Sequence, residues 1–212
     1  MGAALESLPG PGGSFLAVLG QRATRAVQAE WIRNLSRTLA LATDRAGMTR
    51  EDLAEALERE PKLIPLVVRT LHAAGMNGHD KTLKLLAGFL GDALADVSQV
   101  DDVQALLAAV SDMTEHHIKV LEILASQPGE YEELKDSKPD HWTTGLLVSA
   151  SDMRRELVLV GTQGLLNAGF VSDQGIDGGN ASGELGGTIL SLTEMGRNVI
   201  EVLREVEEAS GP

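Results

Sequence analysis

The sequence predicts a mainly α-helical protein: an N-terminal all-α helical bundle followed by a C-terminal winged helix-turn-helix domain with a small β-hairpin wing. Three observations carry this expectation. Apolar residues recur at spacings of three and four through most of residues 14–111. Residues 165–195, LLNAGFVSDQGIDGGNASGELGGTILSLTEM, read as a helix end, a strand, a glycine-rich excursion, a second strand and a new helix start. Aromatic residues make up only 3% and cysteine is absent, so the cores are built of Leu, Val, Ile and Ala, with no disulfide or thiolate site.

The expected division is a disordered tail at 1–13, a helical bundle at 14–111, a winged-helix domain at 112–208 and a short tail at 209–212. Residues 1–13 hold Pro9, Pro11 and four glycines, which suit a tail. Residues 14–46 form the first helix, with Val27, Trp31, Leu35, Leu39 and Ala42 as its apolar positions. Gly47 closes it. Thr49 to Asp52 opens the next helix as a capping box, Asp52 standing where Glu or Gln is usual. Helices at 50–59 and 62–74 are broken at Pro61, and Pro65 falls in the first turn of the second, where its missing N–H is harmless. A helix-turn-helix is not expected here, because the Glu58–Pro61 turn has no glycine. After a connector at 75–78, a helix at 79–96 carries Leu83, Leu86, Leu90 and Leu94 on one side. Its Ala87, Gly88 and Gly91 leave room for a close neighbour. Asp101 and Asp102 start a short helix ending near Ser111.

Thr114 opens the second half. Ile118, Leu121, Ile123 and Leu124 mark its first helix, and residues 127–141 read as a loop. Residues 142–150, WTTGLLVSA, suit either a short helix or an extended piece. Residues 152–168 are the third helix, which enters the major groove in DNA-binding winged helices. Gly169 is placed to take the left-handed position after it, and Phe170 and Val171 begin a strand. Six glycines between 175 and 187 make a mobile hairpin tip. Residues 188–192 return as a strand. Thr193 caps a last helix, 194–208, with Val199, Ile200, Leu203 and Val206 on one face.

Charge narrows the function classes. The formal net charge is −13, and residues 1–111 carry only −2 of it, leaving −11 on residues 112–212. The first helix is the exception, with five arginines against Glu30 and Asp44. That could serve an anionic lipid or nucleic acid, but arginines spread over several faces better suit a solvated surface or a dock for the acidic half. The neighbours His116 and His117 point about 100° apart on a helix and cannot chelate together. His117 shares a stripe with Met113, Val120 and Leu124 and reads as a core or boundary residue. His72, His79 and Asp80 lack any ligand spacing of known type, and no metal or cofactor is expected. The glycine run matches neither phosphate-binding motif and has no Lys or Arg. The pairs Asp101–Asp102, Glu132–Glu133 and Glu207–Glu208 read as solvated surface, and no catalytic residue is expected.

A DNA-binding reading rests on Arg154 and Arg155, with Thr162, Gln163 and Asn167 as further contacts on the third helix. Against it stand Asp152 and Glu156 on the same helix and a wing that holds Asp173, Asp177 and Glu184 but no cation, since phosphates are bound largely by cations. The balance favours a protein-interaction or dimerisation module, with a DNA-binding regulator as the alternative.

Two resemblances bear on this. LLNAGFVSD followed by GTILSLTEMGRNVIEVL resembles the wing and closing helix of MarR-like regulators over about the last 45 residues. This implies a recognition helix bearing Arg154 and Arg155 and a wing at 172–187. More faintly, the order PKLIP (61–65), KTLKLLAGFLGDAL (81–94), MTEHHIKVLEIL (113–124), LLNAGFV and SLTEMGR is similar to the bacterial abortive-infection alpha-type family. That family has a Leu-Thr-x-x-Gly turn, matched by Leu192, Thr193 and Gly196. It usually has an aromatic in the leucine-rich segment, and Phe89 is the candidate here. The resemblance implies a place in phage defence. The expected protein is therefore cytoplasmic and non-enzymatic. It has no membrane span and no lipidation signal, since Glu6 stands where Ser or Thr is needed. It would bind a protein partner, with a homodimer through the long helices as one form.

Overall fold

The structure is a computed structural model and describes residues 11–131, 141–177 and 187–210. It is mainly helical with a small three-stranded antiparallel sheet. Residues 1–10 of the expected tail (1–13) and 178–186 of the expected glycine-rich tip (175–187) lie outside the described residues, as do Glu132, Glu133 and Glu184.

Helix α1 spans Pro11–Ala46, so it starts three residues ahead of the expected position and takes in part of the expected tail. It ends where Gly47 turns left-handed at φ +64°, a conformation that costs a residue with a Cβ but not glycine. Helix α2 (Arg50–Arg59) opens on the expected capping box. The Asp52 N–H donates to Thr49 Oγ1 (3.1 Å) and the Thr49 N–H donates to Asp52 Oδ2 (2.9 Å). The bonds from the Thr49 backbone and hydroxyl hold the Asp52 carboxyl below the usual carboxylate range. Helix α3 (Leu63–Met76) follows the break at Pro61.

Helix α4 (Asp80–Ala95) is the centre of the molecule. It packs against α1, α3, the later helix α5 (Val100–Val110), α6 (Glu115–Leu124) and the last helix, α9 (Glu194–Ser210). Its apolar residues are therefore buried on several sides, from Leu83, Leu85 and Leu86 through Phe89 and Leu90 to Ala93 and Leu94. Of the three small residues singled out in its sequence, the two glycines serve different neighbours. A Cβ on Gly88 would fall 2.4 Å from Val202 Cγ1 of α9, and one on Gly91 would fall 2.9 Å from Arg45 Cβ of α1. A 3-10 turn at Val97–Gln99 leads into α5.

The second half runs α6, a 3-10 turn at Pro128–Glu130, β1 (Trp142–Thr143), α7 (Thr144–Ala150), α8 (Arg155–Asn167), β2 (Val171–Asp177), β3 (Gly187–Leu192) and α9. The segment 142–150 is both things its sequence allows: a short strand, then a helix. Thr143 makes the switch, its hydroxyl accepting from the Leu146 N–H (3.2 Å) as an N-cap. Strand β3 lies between β1 and β2, with Trp142 opposite Leu190 and Val171 opposite Leu192. Gly169 follows α8 at φ +79°, in the expected left-handed conformation.

The two halves share one hydrophobic cluster, running from Ala42 and Leu53 through α4 to Val199, Ile200 and Val206. At its edge Arg45 of α1 reaches Asp92 of α4 and Glu205 of α9, each at 2.6 Å. Burial works against the Arg45 charge, but the bonds to the two carboxylates outweigh it and raise the guanidinium pKa. Arg37 pairs with Asp80, so two of the five α1 arginines are held by α4.

Candidate functional site

Helix α8 and its N-cap residue Arg154 carry every residue on which a DNA-reading expectation rested, and the two sides of the helix differ sharply. The inner side buries Val158, Gly161, Thr162 and Leu165 against α6, α7 and β2. Gly161 faces α6, where a Cβ would lie 3.5 Å from the His116 carbonyl oxygen, in ordinary van der Waals contact. The outer side presents Arg155, Glu156, Leu159, Val160, Gln163 and Asn167.

Thr162 is corrected by this placement. It is 3% exposed and its hydroxyl donates back to the Val158 carbonyl (2.8 Å), so it faces the core and cannot touch an outside ligand. Gln163 is exposed, its side-chain amide donating to Asn167 Oδ1 (2.9 Å). Arg154 occupies the N-cap of α8 and Arg155 its first turn. Both are exposed, and neither has an acidic partner within 4 Å among the described residues. Asp152 just before them is held by Lys119 of α6, and that bond keeps its carboxyl below the usual range.

The outer side also holds two residues that the motif reading passed over. Leu159 is 40% exposed and Val160 is 67% exposed. The signal was present: Leu157 to Val160 is a run of four apolar residues, longer than one helix face can bury. Strand β2, which packs against α8, carries exposed Asp173 as its third residue, and the Asp173 Oδ1 accepts from the Gly175 N–H (2.7 Å).

His117 sits behind α8. It occupies the third position of a capping box at the start of α6, where Glu or Gln is usual. Its Nδ1 accepts from the Thr114 N–H (3.0 Å) and lies 2.9 Å from the Thr114 hydroxyl. The ring rests on Gly164 of α8, where a Cβ would fall 2.3 Å from Nε2. Burial and, secondly, the charge of His116 lower its pKa from the ordinary 6.5. Asp112 and Asn167 are the other polar residues lining the cleft it borders. A lowered pKa means the folded state holds the neutral imidazole that the cap needs. This part of the stability is present above about pH 6.5 and is lost as the pH falls below it. In urea melts between pH 7.5 and pH 5, wild-type stability is expected to fall more than that of His117→Gln. The glutamine accepts the same bond at every pH. Equal losses in both proteins would remove His117 from the pH dependence.

The metal candidates do not converge. Among the described residues no group of three or more His, Asp or Glu side chains could hold an ion. An open groove of about 790 Å³ lies between β3 and α9, lined by Trp142, Leu190, Arg197, Glu201, Arg204 and others. No helix among the described residues is long and apolar enough to cross a membrane. Comparison with protein-family models, curated proteins and solved structures returns no match to the chain.

Proposed function

We propose that this is a non-enzymatic macromolecule-binding protein whose second half is a winged helix-turn-helix unit, used to dock a protein through the outer side of α8. The strand order β1-β3-β2 supports the fold reading. In it β1 precedes α7, α7 and α8 are the helix-turn-helix, and β2 and β3 form the wing. The observation that carries the function is the exposure of Leu159 and Val160 at the centre of the α8 face. An exposed apolar pair between Glu156 and Gln163 suits a protein surface and gives nothing to a phosphate backbone. The excess negative charge of residues 112–212 acts in the same direction, because it repels nucleic acid. Phage defence is the setting that the order of motifs suggests for such a module.

The alternative, a DNA-binding transcriptional regulator, is favoured by one observation: Arg154 and Arg155 stand exposed and unpaired among the described residues at the N-terminus of α8. A titration against random-sequence duplex DNA at low and moderate salt separates the two. The expected result is no binding tighter than about 0.1 mM even at low salt. Micromolar binding that weakens steeply with salt and vanishes in Arg154→Ala/Arg155→Ala would replace the protein-docking reading with the nucleic-acid one.

A further inference from the structure

The connector between α3 and α4 holds a chemically reactive pair. Asn77-Gly78 is the one Asn-Gly step in the chain. In such a step the glycine nitrogen can attack the asparagine side-chain carbon, because no side chain shields it and its backbone is permissive. The fold itself does not call for glycine at 78. The residue is exposed, its φ is not left-handed, and a Cβ there would meet nothing within 4 Å. Its N–H has no hydrogen-bond partner among the described residues. The attacking nitrogen is therefore free, and the fold acts on the asparagine instead.

Asn77 is held through each of its polar groups. It ends α3 at φ −105° and ψ 132°, its N–H donating to the Ala74 carbonyl (3.2 Å). Its own carbonyl accepts from the side-chain amide of Asn34 on α1 (2.9 Å), and Asn34 is 6% exposed. Its Oδ1 accepts from the His79 N–H (2.9 Å) in a turn closed by the side chain, and its Nδ2 reaches the Met113 carbonyl at 3.5 Å. Ring closure needs the Gly78 nitrogen swung to the Cβ side of the Cα–C bond. At ψ 132° it is turned away, and the conformation needed lies outside the main allowed regions for a residue with a Cβ. We propose that Asn77 is a deamidation site that the fold keeps closed: it reacts when the bonds from Asn34 and His79 let go, and stays intact while they hold. In the reaction the Gly78 nitrogen bonds to Asn77 Cγ and gives up its proton, and the side-chain nitrogen leaves as ammonia. Water then opens the cyclic imide. Opening at the side-chain carbonyl gives aspartate. Opening at the main-chain carbonyl gives isoaspartate, which puts the former side-chain methylene into the main chain between α3 and α4. Either product replaces an amide donor with a carboxylate, in a cleft that Arg69, His72 and Asp112 also line. It can no longer donate to the Met113 carbonyl, so each local opening that ends in reaction leaves a permanent mark at the junction of α1, α3 and α4.

The test follows the full chain at one mildly alkaline pH, folded and in urea above its transition. Mass spectrometry of the peptide containing Asn77 reads the exchange of its NH2 for OH. Conversion in urea is expected to be at least about tenfold faster than in the folded protein. Asn34→Ala removes the buried donor and is expected to speed conversion of the folded protein. Should that variant not fold, His79→Pro makes the same comparison by removing the N–H that holds Oδ1 at an exposed position. Gly78→Ala is expected to slow conversion in urea while leaving the circular dichroism of the folded protein unchanged, since its Cβ enters open space. Four results would overturn the proposal. They are equal rates folded and in urea, no conversion in urea, a folded clamp variant that converts no faster than wild type, or a Gly78→Ala chain that converts in urea as fast as wild type.

Discussion

Gly196→Ala is expected to cost about 3 kcal/mol or more, at the upper end of what overpacking does to a closely packed site. Gly196 lies in the first turn of α9, and its N–H donates to Thr193 Oγ1 (3.1 Å). The Thr193 hydroxyl also meets the Gly169 and Phe170 carbonyl oxygens (2.8 and 3.1 Å), so one side chain ties the end of α8 to the start of α9. This brings the two backbones so close that a Cβ on Gly196 would lie 2.1 Å from the Phe170 carbonyl oxygen. That neighbour is main chain and cannot swing aside, as a long side chain would. Helix α9 must shift, and with it Val199, Ile200 and Leu203, all buried. At 2–4 °C per kcal/mol for a chain of this size, the melting temperature is expected to fall by roughly 6–12 °C. A loss below about 1 kcal/mol in urea melts would show that the close approach relaxes at little cost. The Leu-Thr-x-x-Gly motif thus has a local reason wherever a strand hands over to a capped helix, whatever family the chain resembles.

Phe89→Ala is expected to cost about 3–5 kcal/mol, the usual range for removing a buried phenyl ring. Phe89 is 1% exposed on α4, the helix that both halves pack against. The chain holds one tryptophan in each half, Trp31 on α1 and Trp142 on β1. Single Trp→Phe variants therefore report the two halves separately. Wild type is expected to give coincident urea transitions from both reporters, and Phe89→Ala is expected to lower both midpoints together. If only the Trp31 transition moved, the halves would be unfolding independently.

Local chemistry in the sequence was enough to place most of the helices and turns. Gly47 and Gly169 stand at left-handed turns, the Thr49 box and the Thr193 cap start their helices where expected, and Gly88 and Gly91 mark close approaches. Each depends on residues within a few positions of one another, or on the simple absence of a Cβ. What was not legible depends on partners far away in the chain. The basic character of α1 looked like one surface, yet Arg37 and Arg45 are held by carboxylates of α4 and α9. Thr162 was placed on the wrong side of α8 because its hydroxyl was read as a ligand contact, although it lies one turn after Val158 on the side packed against α6 and bonds back to the Val158 carbonyl. The role of His117 was hidden because an imidazole stands where a capping box ordinarily has a carboxylate or amide.

The position of α4 has a consequence for how the protein is made. Its Gly88 side is closed by Val202 and Val206, and the Arg45–Glu205 pair joins positions 160 residues apart. A nascent chain emerges from the ribosome N-terminus first, so α1 to α5 are outside long before α9 exists. Until α9 arrives, Leu and Ala side chains of α4 face water, and the early helices form an unfinished assembly with an open apolar seam. A helix made late thus completes a core begun early. A stop codon ahead of residue 194 would therefore yield a chain bound for chaperones or aggregation, with no independently stable N-terminal fragment.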